Sequence, residues 1–134
     1  MLAETLSPLR YLEAVGEIHA FGRQMAAAFA DFDILLSATL SELPAKVGRF
    51  SHETEDYLAY RIGPNGIFAY SPFCAIFNAS GQPAASVPLA MSKDGLPIGV
   101  HLAAPYGNDE ELIAVCAELE ASQPWAARRP TVSA

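Results

Sequence analysis

Residues 77–103 read FNASGQPAASVPLAMSKDGLPIGVHLA, and this stretch decides the fold. Gly81 suits a turn with positive φ, and Pro83 stiffens the entry to the next element. Residues 84–90 read as a strand, with Val87 and Leu89 on one face. Ser92-Lys93-Asp94-Gly95 contains the Asp-Gly pair favoured in tight hairpins. The return strand, 97–103, sends Ile98, Val100 and Leu102 to one face and Gly99 and His101 to the other. Pro88 removes a ladder donor, so its strand should be an edge, irregular there, or paired on its other side.

Downstream, Asn108 suits a helix N-cap, and Glu111 three residues later makes a capping-box pattern. The helix should run to about Ser122 on a stripe of Leu112, Val115, Cys116 and Leu119. Asp109, Glu110 and Glu111 sit at its positive end, and Pro124 stops it before Trp125 and Arg128-Arg129-Pro130. Upstream, Ser71-Pro72 is a helix-start signal, with the helix continuing through Phe73, Cys74, Ile76 and Phe77 to near Gly81. A short helix around Glu53–Arg61 and a turn at Gly63-Pro64-Asn65-Gly66 precede it, after a loop over 39–51. Asp33-Ile34-Leu35-Leu36-Ser37 is a short apolar run between polar ends, which reads as a buried strand of a parallel sheet. Ser7-Pro8 opens a long helix to about Phe29, striped by Leu9, Leu12, Val15, Ile18, Phe21, Met25 and Phe29.

The composition suits one domain over 1–134. Half the residues are hydrophobic (51%) and 17% are charged, which is globular and argues against disorder. The net charge of −7 comes with no basic cluster, so phosphate neutralisation and a nucleic-acid role are excluded. No apolar run reaches the length of a membrane span, and no signal-peptide core opens the chain, so the expected location is the cytoplasm. Cys74 and Cys116 have neither paired spacing nor a CxxC, so both read as buried free thiols.

No self-contained active site emerges. The chain has no Gly-x-Ser-x-Gly elbow and no glycine-rich phosphate loop. His19, His52 and His101 are far apart and lack metal-ligand spacing. Ser92 and Lys93 are neighbours whose side chains diverge, so they cannot easily share a proton. His101 on a strand face could act as a base, but no nucleophile is tied to it by spacing, and a packed imidazole is the simpler reading.

The stretch from Phe77 to Ala90 resembles the C-terminal hallmark of the amidase-signature family, an Asn-x-x-Gly-x-Pro-Ala turn leading into a Ser-Val-Pro strand. The hairpin from Asp94 to His101 is similar to the family's Gly-Leu-Pro-x-Gly segment. Residues 106–112 resemble the start of its final helix, and 120–125 its usual ending. Tyr11-Leu-Glu-Ala and the run from Phe32 to Thr39 resemble the preceding helix and strand. The chain departs from the pattern at Ala38, where the family commonly has proline, and at His101, where it often has glutamine. A side chain standing in for glutamine reads as structural.

The resemblance implies amide hydrolysis by a Ser–cis-Ser–Lys triad that lies in the family's N-terminal part, in a glycine- and serine-rich stretch. This sequence has no such stretch, and neither Lys46 nor Lys93 sits in a matching motif, so no catalytic residue carries over. The resemblance also implies that the segment before Asn78 borders the substrate. In the transamidating branch the residue seven positions before that asparagine is acidic and grips an amine; here it is Ser71, which argues against a cationic substrate. Phe73, Cys74 and Phe77 would form a more apolar wall, and helix packing explains them equally well.

The expected fold is therefore α/β: a short mixed sheet with a C-terminal β-hairpin and flanking helices, a fragment of the amidase-signature fold. The expected function is that of a C-terminal amidase fragment for non-peptide amide bonds, inactive alone. The alternative is an interaction module that self-associates or completes a separately encoded N-terminal half. No metal or other cofactor is expected, and a small amide becomes a substrate only in a completed enzyme.

Overall fold

The computed structural model describes residues 6–51, 53 and 56–129. His52 and Pro130, both weighed above, lie outside the described residues. The elements are α1 (Pro8–Ala28), β1 (Leu35–Ala38), α2 (Tyr57–Ile62), α3 (Ile67–Tyr70), α4 (Ala75–Ser80), β2 (Ala84–Met91), β3 (Pro97–Ala103) and α5 (Asp109–Ser122), with a 3-10 turn at Phe29–Asp31 after α1.

The hairpin forms as its sequence dictates. Gly95 takes φ +76°, its N–H donates to the Ser92 carbonyl at 3.0 Å, and the Ser92 hydroxyl accepts from Leu96 N–H at 3.1 Å. Strand order is β1-β3-β2, and both pairings are antiparallel. The α/β class, the short sheet, the hairpin and the flanking helices match the sequence reading. The pairing sense of β1 does not: that reading placed residues 33–37 in a parallel or mixed sheet. A short apolar run carries no directional signal, and its neighbour is the returning strand of the hairpin.

Pro88 has the effect its chemistry requires. The β2–β3 register is irregular between Val87 and Ala90, and β2 is an edge of this sheet. The freed carbonyls are taken up by the C-terminal segment: Gln123 Nε2 donates to Leu89 O at 2.8 Å and Arg128 donates to Pro88 O at 3.0 Å.

One sheet face closes on α5. Leu102, Val87, Ala104 and Leu112 form a buried cluster, with Val100, Val115, Leu119 and Trp125 packed around it. The other face holds a smaller cluster of Phe29, Phe77 and Ala103, against which Met25 and Leu35 pack. Burying a side chain such as Leu102 or Leu112 contributes about 1.5–3 kcal/mol.

Helix boundaries follow local chemistry. Ser7 caps α1 by accepting from Arg10 N–H at 3.2 Å, and Asp56 caps α2 by accepting from Ala59 N–H at 2.9 Å. Gly81 ends α4 in the left-handed conformation at φ +78°. Two expectations are corrected. Ser71 does not start a helix; its N–H donates to Ile67 O and closes α3, so α4 begins only at Ala75. Asn108 does not cap α5 through its own acceptor; its Nδ2 donates to the Glu111 carboxylate at 3.0 Å.

The stripe of α1 is only partly used. Phe29, just beyond its end, is buried, and α1 passes close to α4 at Gly22, where an added Cβ would make ordinary contact at 3.6 Å from Ser80 O. Leu9, Leu12 and Ile18 remain exposed at 65%, 64% and 49%, so three of the seven residues of the expected core stripe face outward. Both cysteines are free and half-buried rather than buried. Among the described residues no helix is long and apolar enough to cross a membrane.

Candidate functional site

Strand register brings three polar side chains into one row. Ser37 on β1 and Ser86 on β2 both pair with His101 on β3. The Ser37 hydroxyl is hydrogen-bonded to His101 Nδ1 at 3.2 Å. One step along, the Thr39 and Ser86 hydroxyls meet at 2.6 Å across β3. They can do so because the residue between them is Gly99. A Cβ there would stand 2.5 Å from Thr39 Oγ1 and 2.7 Å from Ser86 Oγ.

Helix α4 lies against this row. Phe77 is buried with its ring 5.1 Å from the His101 ring, and it meets Phe29 edge-on at 6.4 Å. Cys74 Sγ donates to Thr39 O at 3.6 Å. The loop carrying Thr39 is held in turn by α3, where the Ser41 hydroxyl and Tyr70 Oη bond to backbone across the gap. Between α4 and the sheet is a cavity of about 330 Å³, bordered by Cys74, Phe77, Asn78, Gln82, Ser86 and His101, together with Ala84 and Ala85.

Two of the four residues assigned to a pocket wall from the sequence, Cys74 and Phe77, border this cavity. Ser71 and Phe73 are half-buried in the turn between α3 and α4 and do not border it. The sequence singles out His101 as a possible base without a partner, and it gives no signal for Ser37, Ser86 or Gln82. Alternation along 97–103 already separates His101 from the apolar face, but its partners depend on register, which no local signal fixes.

The electrostatics are those of a neutral site. Burial pushes the His101 imidazole below its ordinary value, so it is uncharged at neutral pH. No carboxylate, lysine or arginine borders the cavity. Ser37 and His101 therefore resemble a nucleophile–base pair that lacks the carboxylate which orients the base in a triad. Among the described residues no three His, Cys, Asp or Glu side chains gather where a metal could be held. Gln82 is the buried amide of the site. It is 6% exposed, its Oε1 accepts from Ser80 Oγ at 3.0 Å, and its buried Nε2 has no partner. Leaving such a donor unpaired costs about 1–3 kcal/mol.

Comparison with known proteins bears on the family and the fold. A family model described as Amidase matches residues 1–113. The chain is 39% identical over 103 residues to the 6-aminohexanoate-cyclic-dimer hydrolase of Paenarthrobacter ureafaciens, covering 75% of this chain and 21% of that protein. It is 32% identical over 117 residues to the putative amidase AmiC of Mycobacterium leprae, covering 87% and 24%. The solved structure of 6-aminohexanoate cyclic dimer hydrolase complexed with substrate superposes with a TM-score of 0.83 at 32% identity, over 96% of this chain and 27% of that one. A bacterial aryl acylamidase of the amidase-signature enzymes superposes with a TM-score of 0.68 at 27% identity. The chain thus belongs to the amidase-signature family, and it spans about a fifth to a quarter of the length of these relatives.

Proposed function

We propose that this chain is the C-terminal portion of an amide hydrolase for non-peptide carbon–nitrogen bonds, supplying scaffold and one wall of the substrate pocket, and inactive alone. The observation that carries this reading is the superposition on the cyclic-dimer hydrolase over nearly the whole chain, against only 27% of that enzyme. The catalytic serines and lysine would come from the part of such an enzyme that this chain does not match. Ser71, Phe73, Cys74 and Phe77 remain the proposed wall, with Cys74 and Phe77 nearest the cavity.

The test is reconstitution. The purified chain should not hydrolyse aryl amides, and mixing it with the separately expressed remainder of a relative should restore hydrolysis. Turnover by the chain alone that disappears in Ser37→Ala would overturn the reading, because Ser37 is the hydroxyl next to a base.

A second reading has its own support. Leu9, Tyr11, Leu12 and Ile18 expose an apolar surface on α1, and Leu36 on the β1 edge is 68% exposed. Such surfaces mark contact sites. In this reading the chain is an interaction module that self-associates or completes a separately encoded N-terminal half. A monodisperse monomer in light scattering, with no binding of an apolar dye, counts against it.

A further inference from the structure

We propose that the cavity between the β2–β3 hairpin and the turn after α5 is a binding site for a small carboxylate with an apolar body, gripped by Arg128 and Arg129. It shares no residue with the cavity beneath α4. Its occupation requires only this chain and does not rest on the amide-hydrolase reading.

Pro88 opens the space. It cannot donate to the ladder, and the β2–β3 register breaks between Val87 and Ala90. The C-terminal segment lies over the break. Trp125 packs on the α5 cluster, and Arg128 N–H donates to Trp125 O at 2.8 Å, a turn that brings both arginines to the same cavity as the indole. The Arg128 guanidinium is held at the rim by its bond to Pro88 O at 3.0 Å. The cavity has about 380 Å³ and is bordered by Pro88, Met91, Pro97, Trp125, Arg128 and Arg129. Small-molecule sites have this size and this pattern of apolar walls with a few polar groups.

The charge of the border selects the ligand. The chain has a net charge of −7, yet two arginines and no carboxylate border this cavity. Among the described residues the ion pairs belong to Arg10 and Arg49, and the guanidiniums lying over rings to Arg49 and Arg61. Arg128 uses one N–H on Pro88, and Arg129 makes no hydrogen bond among the described residues. Both residues are exposed, so their remaining donors are open to solvent. A planar carboxylate matches the paired donors of a guanidinium. The indole, Met91 and the two prolines then cover the rest of the ligand. An ammonium ion would meet like charge, a neutral amide would lack the ionic contact, and inorganic phosphate would leave the apolar wall uncovered.

The chain has one tryptophan, so its indole N–H gives a single NMR signal that reports on this cavity. The isotopically labelled 134-residue chain is titrated at neutral pH with benzoate, benzamide and inorganic phosphate. Benzoate should shift the indole signal saturably and bind about tenfold more tightly than either of the others. Its affinity should fall as salt is added. Benzamide or phosphate binding as tightly as benzoate, or a benzoate response that spares Trp125, would overturn the proposal. Arg129→Gln removes one cation and leaves the Arg128–Pro88 bond in place. It should weaken benzoate about fivefold, whereas Arg10→Gln, which removes the same charge from α1, should not. Undiminished binding in the Arg129 variant, or equal weakening in both, would also overturn the proposal. The titration of the unmodified chain decides the matter where a variant does not fold.

Discussion

The two faces of β3 are built from alternate residues of one heptapeptide, yet they are different materials. Val100 and Leu102 face α5 and belong to a continuous apolar cluster. Gly99 and His101 face the other way, into hydroxyls, an imidazole and a cavity. The first face is held by area removed from water. The second combines a smaller apolar cluster around Phe29, Phe77 and Ala103 with a few polar contacts and a missing side chain. Tolerance to substitution should therefore differ sharply between neighbours in sequence.

The largest effect belongs to the apolar face. Leu102 is 2% exposed and sits at the centre of the α5 cluster. Leu102→Ala removes buried methyl groups and leaves a void, costing about 2–5 kcal/mol. Urea unfolding followed by circular dichroism should show the lower midpoint with an unchanged slope. A loss no larger than that of a surface substitution would show that α5 does not close this face in solution.

On the polar face the most sensitive position is the one with no side chain. Gly99→Ala should destabilise by about 1–3 kcal/mol, since the new methyl must displace Thr39 or Ser86. The penalty is steric, so it is relieved by making room: adding Thr39→Ala should recover part of the loss. Strictly additive losses in the double variant would break the account, because residues in contact should couple.

How much of this was legible depends on the range of the signal. The hairpin, its turn and its proline irregularity were readable because Asp94-Gly95, Pro88 and the alternation over 97–103 act locally. The last helix was readable from its stripe and its acidic start. The direction of β1 was not, since residues 35–38 form too short an apolar run to encode a partner. The delayed start of α4 was hidden because Ser71 serves two competing ends: its backbone is used to finish α3. The site was half legible. Alternation isolated His101, and the apolar residues before Asn78 flagged Cys74 and Phe77, but Ser37 and Ser86 reach His101 only through pairings between distant segments. Gln82 occupies a variable place within a turn motif, and only burial reveals its unpaired atom.

The smallest of these effects is a pH dependence confined to the polar face. Burial among Phe77 and the sheet holds the His101 imidazole below its ordinary value of 6.5, so the folded chain favours the neutral ring. The unfolded chain protonates at the ordinary value. Between the two values the unfolded state binds more protons, and stability rises with pH there. The contribution of His101 is thus complete above about 6.5, is lost as the pH falls through the folded-state value, and then levels off. His101→Gln should keep a polar partner for Ser37 while removing this titration. Urea midpoints of the two proteins should run parallel above 6.5, and below it the parent should lose ground to the variant. Leu102, on the opposite face of the same strand, provides the control: the difference between Leu102→Ala and the parent should stay constant across that range. A parent–Gln difference that is equally flat would mean that the imidazole is solvated rather than packed, and the contrast between the two faces would shrink to the steric one at Gly99.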